Sequence, residues 1–262
     1  MSSEHKYMRT SLRGSALQTL ATNRRVLQRD SIRLFEIGRI YIPDEETRER
    51  DLPCEKETLI GVLSGPRSNT SWLADDALLD FFDAKGVLEL LSVQTRVTIE
   101  FEPADDTIFH PGKTAKLMCG GKSIGIVGEL HPHVLGKFGL DATTVAMFEV
   151  DLEALVEAMP TSESQYASIN RFPDSERDIA LIVDTSVSSA SVRSIIERHK
   201  LVKTSTPFDL YVGDDMEAGK MSVAYRIIFQ SGRKTLTAEE VDSALNDILQ
   251  QLRDSIGAEL RE

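Results

Sequence analysis

The stretch IRLFEIGRIYIPDE occupies residues 32–45 and organises the first half of the chain. Two sets of side chains alternate along residues 32–42: Leu34, Glu36, Gly38 and Ile40 against Phe35, Ile37, Arg39 and Tyr41. A period of two residues predicts a β-strand, because successive side chains of a strand point to opposite faces of the sheet. Pro43 and the charged residues after it predict that the strand ends there.

The segments around this strand predict further strands mixed with helices. Helical spacing of apolar residues is found over residues 15–25 and 80–91, and a short strand is predicted over residues 59–63. Residues 44–56 are dense in charge and predict a solvated loop. The pair Gly120-Gly121 predicts a hairpin that joins residues 116–119 to residues 123–127.

The second half of the chain has a clearer order of elements. A buried strand is predicted over residues 177–184, a helix over 188–199, two strands over 206–212 and 221–230, and a short strand over 258–260. Thr237 and Glu240 form a predicted capping box before another amphipathic helix. The order β-α-β-β-α-β is typical of the ferredoxin-like fold, in which helices cover one face of the sheet and leave the other face open to a ligand.

These patterns predict two domains in an α+β protein. The polar stretch at residues 160–165 indicates a linker. We therefore expect an antiparallel-sheet module over residues 1–160, a linker over 161–167 and a ferredoxin-like domain over 168–262.

Composition limits the classes of function. The chain has 262 residues, 41% of them hydrophobic, and a formal net charge of −12, which disfavours indiscriminate binding of nucleic acid. Cys54 and Cys119 stand far apart without a nearby metal-ligand pattern, so neither a disulfide nor a zinc site is expected and a reducing cytoplasm fits best. No signal peptide and no apolar run of about 18 residues is present, so no membrane partner is expected.

Known catalytic and metal-binding patterns are weak. Gly125 and Gly128 do not form a phosphate-binding loop, and no Ser nucleophile motif is present. The segments 110–112 and 131–133 hold three histidines that are predicted to be turn residues, with metal ligands as the alternative. The acidic run at residues 44–46 is predicted to be solvated, with a cation site as the alternative.

Residues 32–45 resemble motif 2 of the class II aminoacyl-tRNA synthetases, a strand with F-E-I-G-R followed by F-R-x-E. In active members, the Arg of F-R-x-E binds the α-phosphate of ATP and its Glu helps to bind the adenine. Here Ile42 and Asp44 stand at those two positions. An aliphatic side chain cannot pair with a phosphate, and no glycine-rich motif 3 with its Arg follows. The resemblance thus implies a synthetase scaffold without catalytic residues and without ATP binding.

The whole chain resembles the C-terminal portion of the β subunit of bacterial phenylalanine–tRNA ligase. Segments with this resemblance occur in the family's order at residues 8–12, 33–41, 81–86, 109–112, 128–132, 148–152, 171–173, 177–181, 208–211 and 233–237. Arg13-Gly14-Ser15 departs from the pattern, because many relatives have Pro-Gly there. The resemblance implies that residues 168–262 form a ferredoxin-fold anticodon-binding domain. The family's β subunit is much longer, with its editing domain and magnesium ligands upstream, so we expect a truncated piece or a split gene product.

The resemblance also implies a site. Tyr211 is similar to a tyrosine that stacks on an anticodon base, and Ser222 to a nearby polar contact. Strand alternation independently places Ser222 and Arg226 on one face and sets Tyr211 opposite Phe208 and Leu210. Arg226 is added to the predicted RNA-binding residues from that geometry alone. The alternatives are a tyrosine at a sheet edge without a ligand and an arginine in a surface salt bridge.

The expected partners follow from the same resemblance. They are the catalytic α subunit, in an (αβ)₂ heterotetramer, and tRNA(Phe). ATP and Mg²⁺ are expected in that holoenzyme and no cofactor or metal in this chain. One rival interpretation is a free-standing regulatory or RNA-binding protein derived from a synthetase. A second, a free-standing enzyme, is disfavoured by Ile42 and by the missing motif 3.

Overall fold

A computed structural model describes residues 7–27, 31–43, 52–68, 71–73, 77–141, 143–161, 169–213 and 216–261. The chain divides into two compact units, Met1–Ser164 and Gln165–Glu262. We call them the first and the second unit. Asp44, the acidic run at residues 44–46 and nearly all of the predicted linker at 161–167 lie outside the described residues. Among the helices that are described, none has both the length and the apolarity to span a membrane.

The first unit is built on a six-stranded antiparallel sheet. Its strands are β1 (Ile32–Ile42), β2 (Cys54–Ser64), β3 (Glu100–Pro103), β4 (Phe109–Cys119), β5 (Lys122–Leu130) and β6 (Val145–Asp151). They lie in the order β1-β2-β6-β5-β4-β3. β1 follows the alternation of its sequence. β2 begins earlier than predicted, at Cys54, so residues 54–56 belong to this strand and not to the predicted loop.

Helices cover both faces of this sheet. They are α1 (Arg13–Leu27), α2 (Phe81–Thr95), α3 (Pro132–Phe138) and α4 (Leu152–Glu157). Leu17 and Leu20 of α1 and Leu135 of α3 pack against one face in a common core. Leu88 of α2 and Leu155 of α4 pack in a second core on the other face. The sheet is therefore the middle layer of a three-layer arrangement, which agrees with the predicted α+β class.

Some elements of the first unit differ from the predictions. The hairpin at Gly120-Gly121 is present, and both glycines have positive φ, at 55° and 79°, a region that side chains with a Cβ rarely adopt. Residues 110–112, predicted as a turn, lie instead inside β4, where the register with β5 shifts between Phe109 and Thr114. Residues 131–133 begin α3, with His131 as its N-cap and Pro132 in the first turn.

The second unit has a four-stranded antiparallel sheet with two helices. Its elements are β7 (Ser175–Asp184), α5 (Ser189–Glu197), β8 (Val202–Tyr211), β9 (Lys220–Phe229), α6 (Ala238–Ile256) and β10 (Glu259–Leu260). The strand order is β10-β7-β9-β8, which puts the first and third strands of the unit in the centre. This order confirms the predicted ferredoxin-like β-α-β-β-α-β domain.

The core of the second unit lies between the sheet and its two helices. Every second residue of the central strands points into this core. Leu181 of β7 and Tyr225 of β9, for example, are buried against Ile196 of α5 and Ile248 of α6. α6 begins with the predicted capping box, in which Thr237 Oγ1 accepts from the N–H of Glu240, whose carboxylate accepts from the N–H of Thr237. The helices thus take up one face of the sheet. We call the other the open face; it carries Asp178, Ala180 and Ile182 of β7 with Ser222, Ala224 and Arg226 of β9.

Candidate nucleic-acid interface

The register of β8 and β9 brings Tyr211 to the open face. Tyr211 is the direct cross-strand partner of Ser222, and Ser222 pairs on its other side with Ile182 of β7. Since paired residues in an antiparallel sheet point to the same face, the Tyr211 ring belongs to the face that α5 and α6 leave uncovered. The side chain is 38% exposed at the edge strand. A ring in that position can offer a surface to a nucleobase.

A bulge in β8 changes the predicted position of Phe208. The register shifts between Pro207, which pairs with Tyr225, and Asp209, which pairs with Ala224. The extra residue moves the Phe208 ring to the open face, where the guanidinium carbon of Arg226 lies 5.3 Å from its centroid. The expectation that Phe208 and Tyr211 lie on opposite faces was therefore wrong, because a bulge breaks the period of two residues. Leu210, which pairs with Val223, does point to the other face.

Arg226 lies on the open face as predicted, but carboxylates hold it there. Its Nε and Nη2 atoms donate to the two carboxylate oxygens of Asp178 at 2.9 and 2.8 Å, and Nε lies 2.9 Å from Oε1 of Glu176. The bond from Arg226 lowers the pKa of Asp178, and in turn Asp178 raises the pKa of Arg226 above its ordinary value. The Nε/Nη2 edge of the guanidinium, one of the two edges that can pair with a phosphate, is therefore already used within the sheet.

Ser222 lies on the same face as Tyr211 but is much less exposed. Only 4% of Ser222 is accessible, although it lies on the face without helices. Arg261, which follows β10, places its guanidinium 4.8 Å from the centroid of the Tyr211 ring. This contact joins the two edges of the sheet, so Ser222 lies beneath it. The three predicted residues thus share one face, on which Ser222 is buried, Arg226 is held by carboxylates and the Tyr211 ring lies partly exposed at the edge strand.

Sequence reasoning missed Arg261 and Asp209 as members of this face. Asp209 pairs with Ala224 and is exposed beside Tyr211. Arg261 follows a strand of only two residues, and the sequence pattern alone predicts no register for it. The pairing of Leu260 with Leu181 supplies that register, and it aligns Arg261 with Ala180.

In the first unit, the described part of the motif 2 position is the end of β1. Ile42 ends β1 opposite Cys54, half-buried and on the same side of the sheet as Ile40. Beside this end of β1, Arg9 donates to the carbonyl oxygen of Arg39 at 2.9 Å and to the Glu36 carboxylate at 2.7 Å. The side chain at the position that the resemblance gives to the phosphate-binding Arg is a hydrocarbon, which cannot pair with a phosphate.

The three predicted turn histidines lie close together. The rings of His110 and His131 have centroids 6.1 Å apart, and those of His131 and His133 lie 5.0 Å apart. Nδ1 of His131 accepts the N–H of His133 as the cap of α3. Among the residues that the structure describes, no group of three His, Cys, Asp or Glu side chains is arranged to hold a metal ion.

Comparison with known proteins identifies both units. The model of the phenylalanyl tRNA synthetase beta chain CLM domain matches residues 1–152, and that of the ferredoxin-fold anticodon binding domain matches residues 170–261. Phenylalanine–tRNA ligase β subunits of Dehalococcoides mccartyi, Oceanobacillus iheyensis and Bacillus subtilis are 39%, 37% and 36% identical to the chain. Each alignment covers 100% of this chain but only 31% or 32% of the relative.

The chain therefore spans about a third of the length of the curated relatives that it matches. The family model on the first unit alone covers more than half of the chain, and the second unit has the fold and the match of an anticodon-binding domain. The chain belongs to the family of phenylalanine–tRNA ligase β subunits.

Proposed function

We propose that this chain supports aminoacylation of tRNA(Phe) in two ways: the first unit binds the catalytic α subunit, and the second unit binds the anticodon on its open face. The chain itself neither binds ATP nor forms the aminoacyl-adenylate. The observation that carries the RNA part is the pairing of Tyr211 with Ser222 on a sheet face that the helices leave uncovered.

Stacking supports this assignment better than charge does. Residues 168–262 hold 12 Lys and Arg against 16 Asp and Glu, so the second unit offers little sequence-independent attraction to phosphates. An aromatic ring on an open sheet can instead hold an unpaired base through its π face. Tyr211 is the first candidate. Ser222 can reach a base only if the contact between Tyr211 and Arg261 opens, because that contact lies above it.

The exposed apolar side chains of the first unit support its assignment to subunit association. Phe35 and Ile37 of β1 are 77% and 53% exposed. They point to the side of the sheet that carries α2, since Phe35 pairs with Gly61 and the Phe148 ring of that core lies against Gly61. Phe82, Leu90 and Val93 of α2 are also exposed. Exposed apolar groups of this size are typical of a surface that another subunit covers.

A titration against the anticodon stem–loop of tRNA(Phe) tests the RNA assignment. We expect the chain to bind it more tightly than a stem–loop with a changed anticodon. Tyr211→Ala should weaken binding roughly 5- to 150-fold, because base stacking on an aromatic is worth about 1–3 kcal/mol by alanine substitution. Tyr211→Phe should keep most of the affinity, since it keeps the ring.

Leu210→Ala is the matched control, because Leu210 is the exposed neighbour on the same strand and points to the other face. It should bind like the unsubstituted chain. Equal affinities for the Tyr211→Ala and Leu210→Ala variants would remove Tyr211 from the site. Equal affinity for both stem–loops would contradict anticodon recognition.

A further inference from the structure

Arg261 crosses the open face from the edge opposite to Tyr211. Its backbone N–H donates to the carbonyl oxygen of Ala180 at 2.9 Å, which extends the pairing of β10 with β7 by one residue. The Arg261 side chain then lies on the same face as Ala180, and its guanidinium reaches the Tyr211 ring at 4.8 Å. Two residues from opposite edges of the sheet thus meet above its central strands.

The two arginines of the open face differ in their charge balance. Arg226 is held by Asp178 and Glu176, so its charge is already compensated. Arg261 is exposed, and within the described part of the chain its guanidinium makes no ion pair with a carboxylate. An uncompensated cation on an acidic domain is the group that a phosphate would meet most favourably.

The contact with Tyr211 does not consume the hydrogen-bonding capacity of Arg261. A guanidinium over a ring interacts through its flat face, while its N–H donors point outward in the plane of the group. Those donors fit the bidentate geometry of a phosphate. Because Arg261 lies against the Tyr211 ring, a nucleotide that contacts this ring comes within reach of these donors.

We propose that Arg261 binds a backbone phosphate of the nucleotide that stacks on Tyr211. This inference rests on the proposed function of the open face. Strand alternation in the sequence predicted Arg226 as the RNA-binding cation, and the proposal assigns that role to Arg261. Tyr211 provides the stack, Arg261 provides the charge, and Arg226 stays in the sheet as the partner of Asp178.

The experiment is a titration of the full chain and its variants against the anticodon stem–loop at several salt concentrations. A lost phosphate contact on a single strand reduces the slope of log K against log salt by about 0.7. We expect Arg261→Gln to show that smaller slope and an affinity lower on the order of tenfold at low salt. Arg261→Lys should keep the slope, because it keeps the charge.

Arg177→Gln is the matched control. Arg177 pairs with Asp242 of α6 on the covered side of the sheet, so its replacement changes the net charge equally but away from the open face. Its slope should equal that of the unsubstituted chain. Arg226→Gln should also keep the slope.

The role of Arg261 would be overturned if Arg261→Gln left the slope of log K against log salt unchanged while Tyr211→Ala still weakened binding. That result would leave the anticodon site intact. If Arg177→Gln or Arg226→Gln reduced the slope as much as Arg261→Gln, the effect would come from net charge and the proposal would also fail. If Tyr211→Ala had no effect, the proposed function of the open face itself would be wrong.

Discussion

Arg13 connects three parts of the first unit at the level of single residues. It stands at the start of α1, donates to Glu149 of β6 and to Asp106 before β4, and lies 5.5 Å from the centroid of the Phe109 ring. Burial by itself would lower the pKa of the guanidinium, but the two carboxylates outweigh burial and raise it above its ordinary value. The side chain therefore stays charged and fixes α1 on the sheet.

We expect Arg13→Met to lower the free energy of unfolding by about 2 kcal/mol, because it leaves two half-buried carboxylates without their partner. The effect is below that of a fully buried pair, since solvent still reaches this group. Arg39→Met is the control: its pair with Glu55 is exposed, so the loss should stay below about 1 kcal/mol. Chemical denaturation of both variants measures the difference, and equal losses would show that Arg13 does not join these parts.

At the scale of elements, the N-terminus of α6 is the clearest case in which local sequence is sufficient. Thr237 and Glu240 cap each other's backbone N–H groups, and the bond from Lys234 together with that from the Thr237 N–H lowers the pKa of Glu240. The helix that follows contributes Val241, Ile248 and Leu252 to the core of the second unit. The cap is thus coupled to the stability of the whole unit.

Thr237→Ala should destabilise the second unit by about 1 kcal/mol, because the backbone N–H of Glu240 loses its acceptor. Ser243→Ala, in the exposed interior of the same helix, should be neutral or slightly stabilising, since alanine has the higher helix propensity. Thermal unfolding followed by circular dichroism compares them. A Thr237→Ala variant as stable as the Ser243→Ala variant would contradict the role of the cap.

At the scale of the whole molecule, the two units have separate cores. Each unit can therefore be tested separately for its proposed role, the first for binding the α subunit and the second for binding the anticodon. All buried residues of one core come from residues 179–258, and the other two cores come from residues 12–155. We expect residues 1–161 to co-purify with the α subunit and residues 169–262 not to do so. Phe35→Asp should weaken that association, because it puts a charge on the exposed apolar surface of β1.

Val26→Asp is the control for this change: Val26 is as exposed as the residues of that surface but lies on α1, on the other side of the sheet. Association through residues 169–262 alone would overturn the assignment. If neither segment bound the α subunit while the second still bound the stem–loop, the rival interpretation of a free-standing RNA-binding protein would be supported.

Several features followed from the sequence because they depend on local physics. The alternation of residues 32–42 gave β1, Gly120-Gly121 gave the hairpin between β4 and β5, and the capping box gave the start of α6. The order of elements in the second half gave the ferredoxin-like class. In each case, side chains a few residues apart determine the local conformation, so no distant contact is needed to predict it.

Other features depend on distant partners. β6 is buried between β2 and β5, and its run of apolar residues lacks the alternation that identified β1. The bulge that turns Phe208 to the open face and the two-residue strand that positions Arg261 are fixed by pairing with β9 and β7. The sequence and its resemblance predicted Tyr211, Ser222 and Arg226 as site residues, and strand alternation placed Ser222 and Arg226 on one face. Tertiary structure alone decided that carboxylates hold Arg226 and that Arg261 reaches Tyr211, because strand register sets which charges from distant parts of the chain become neighbours.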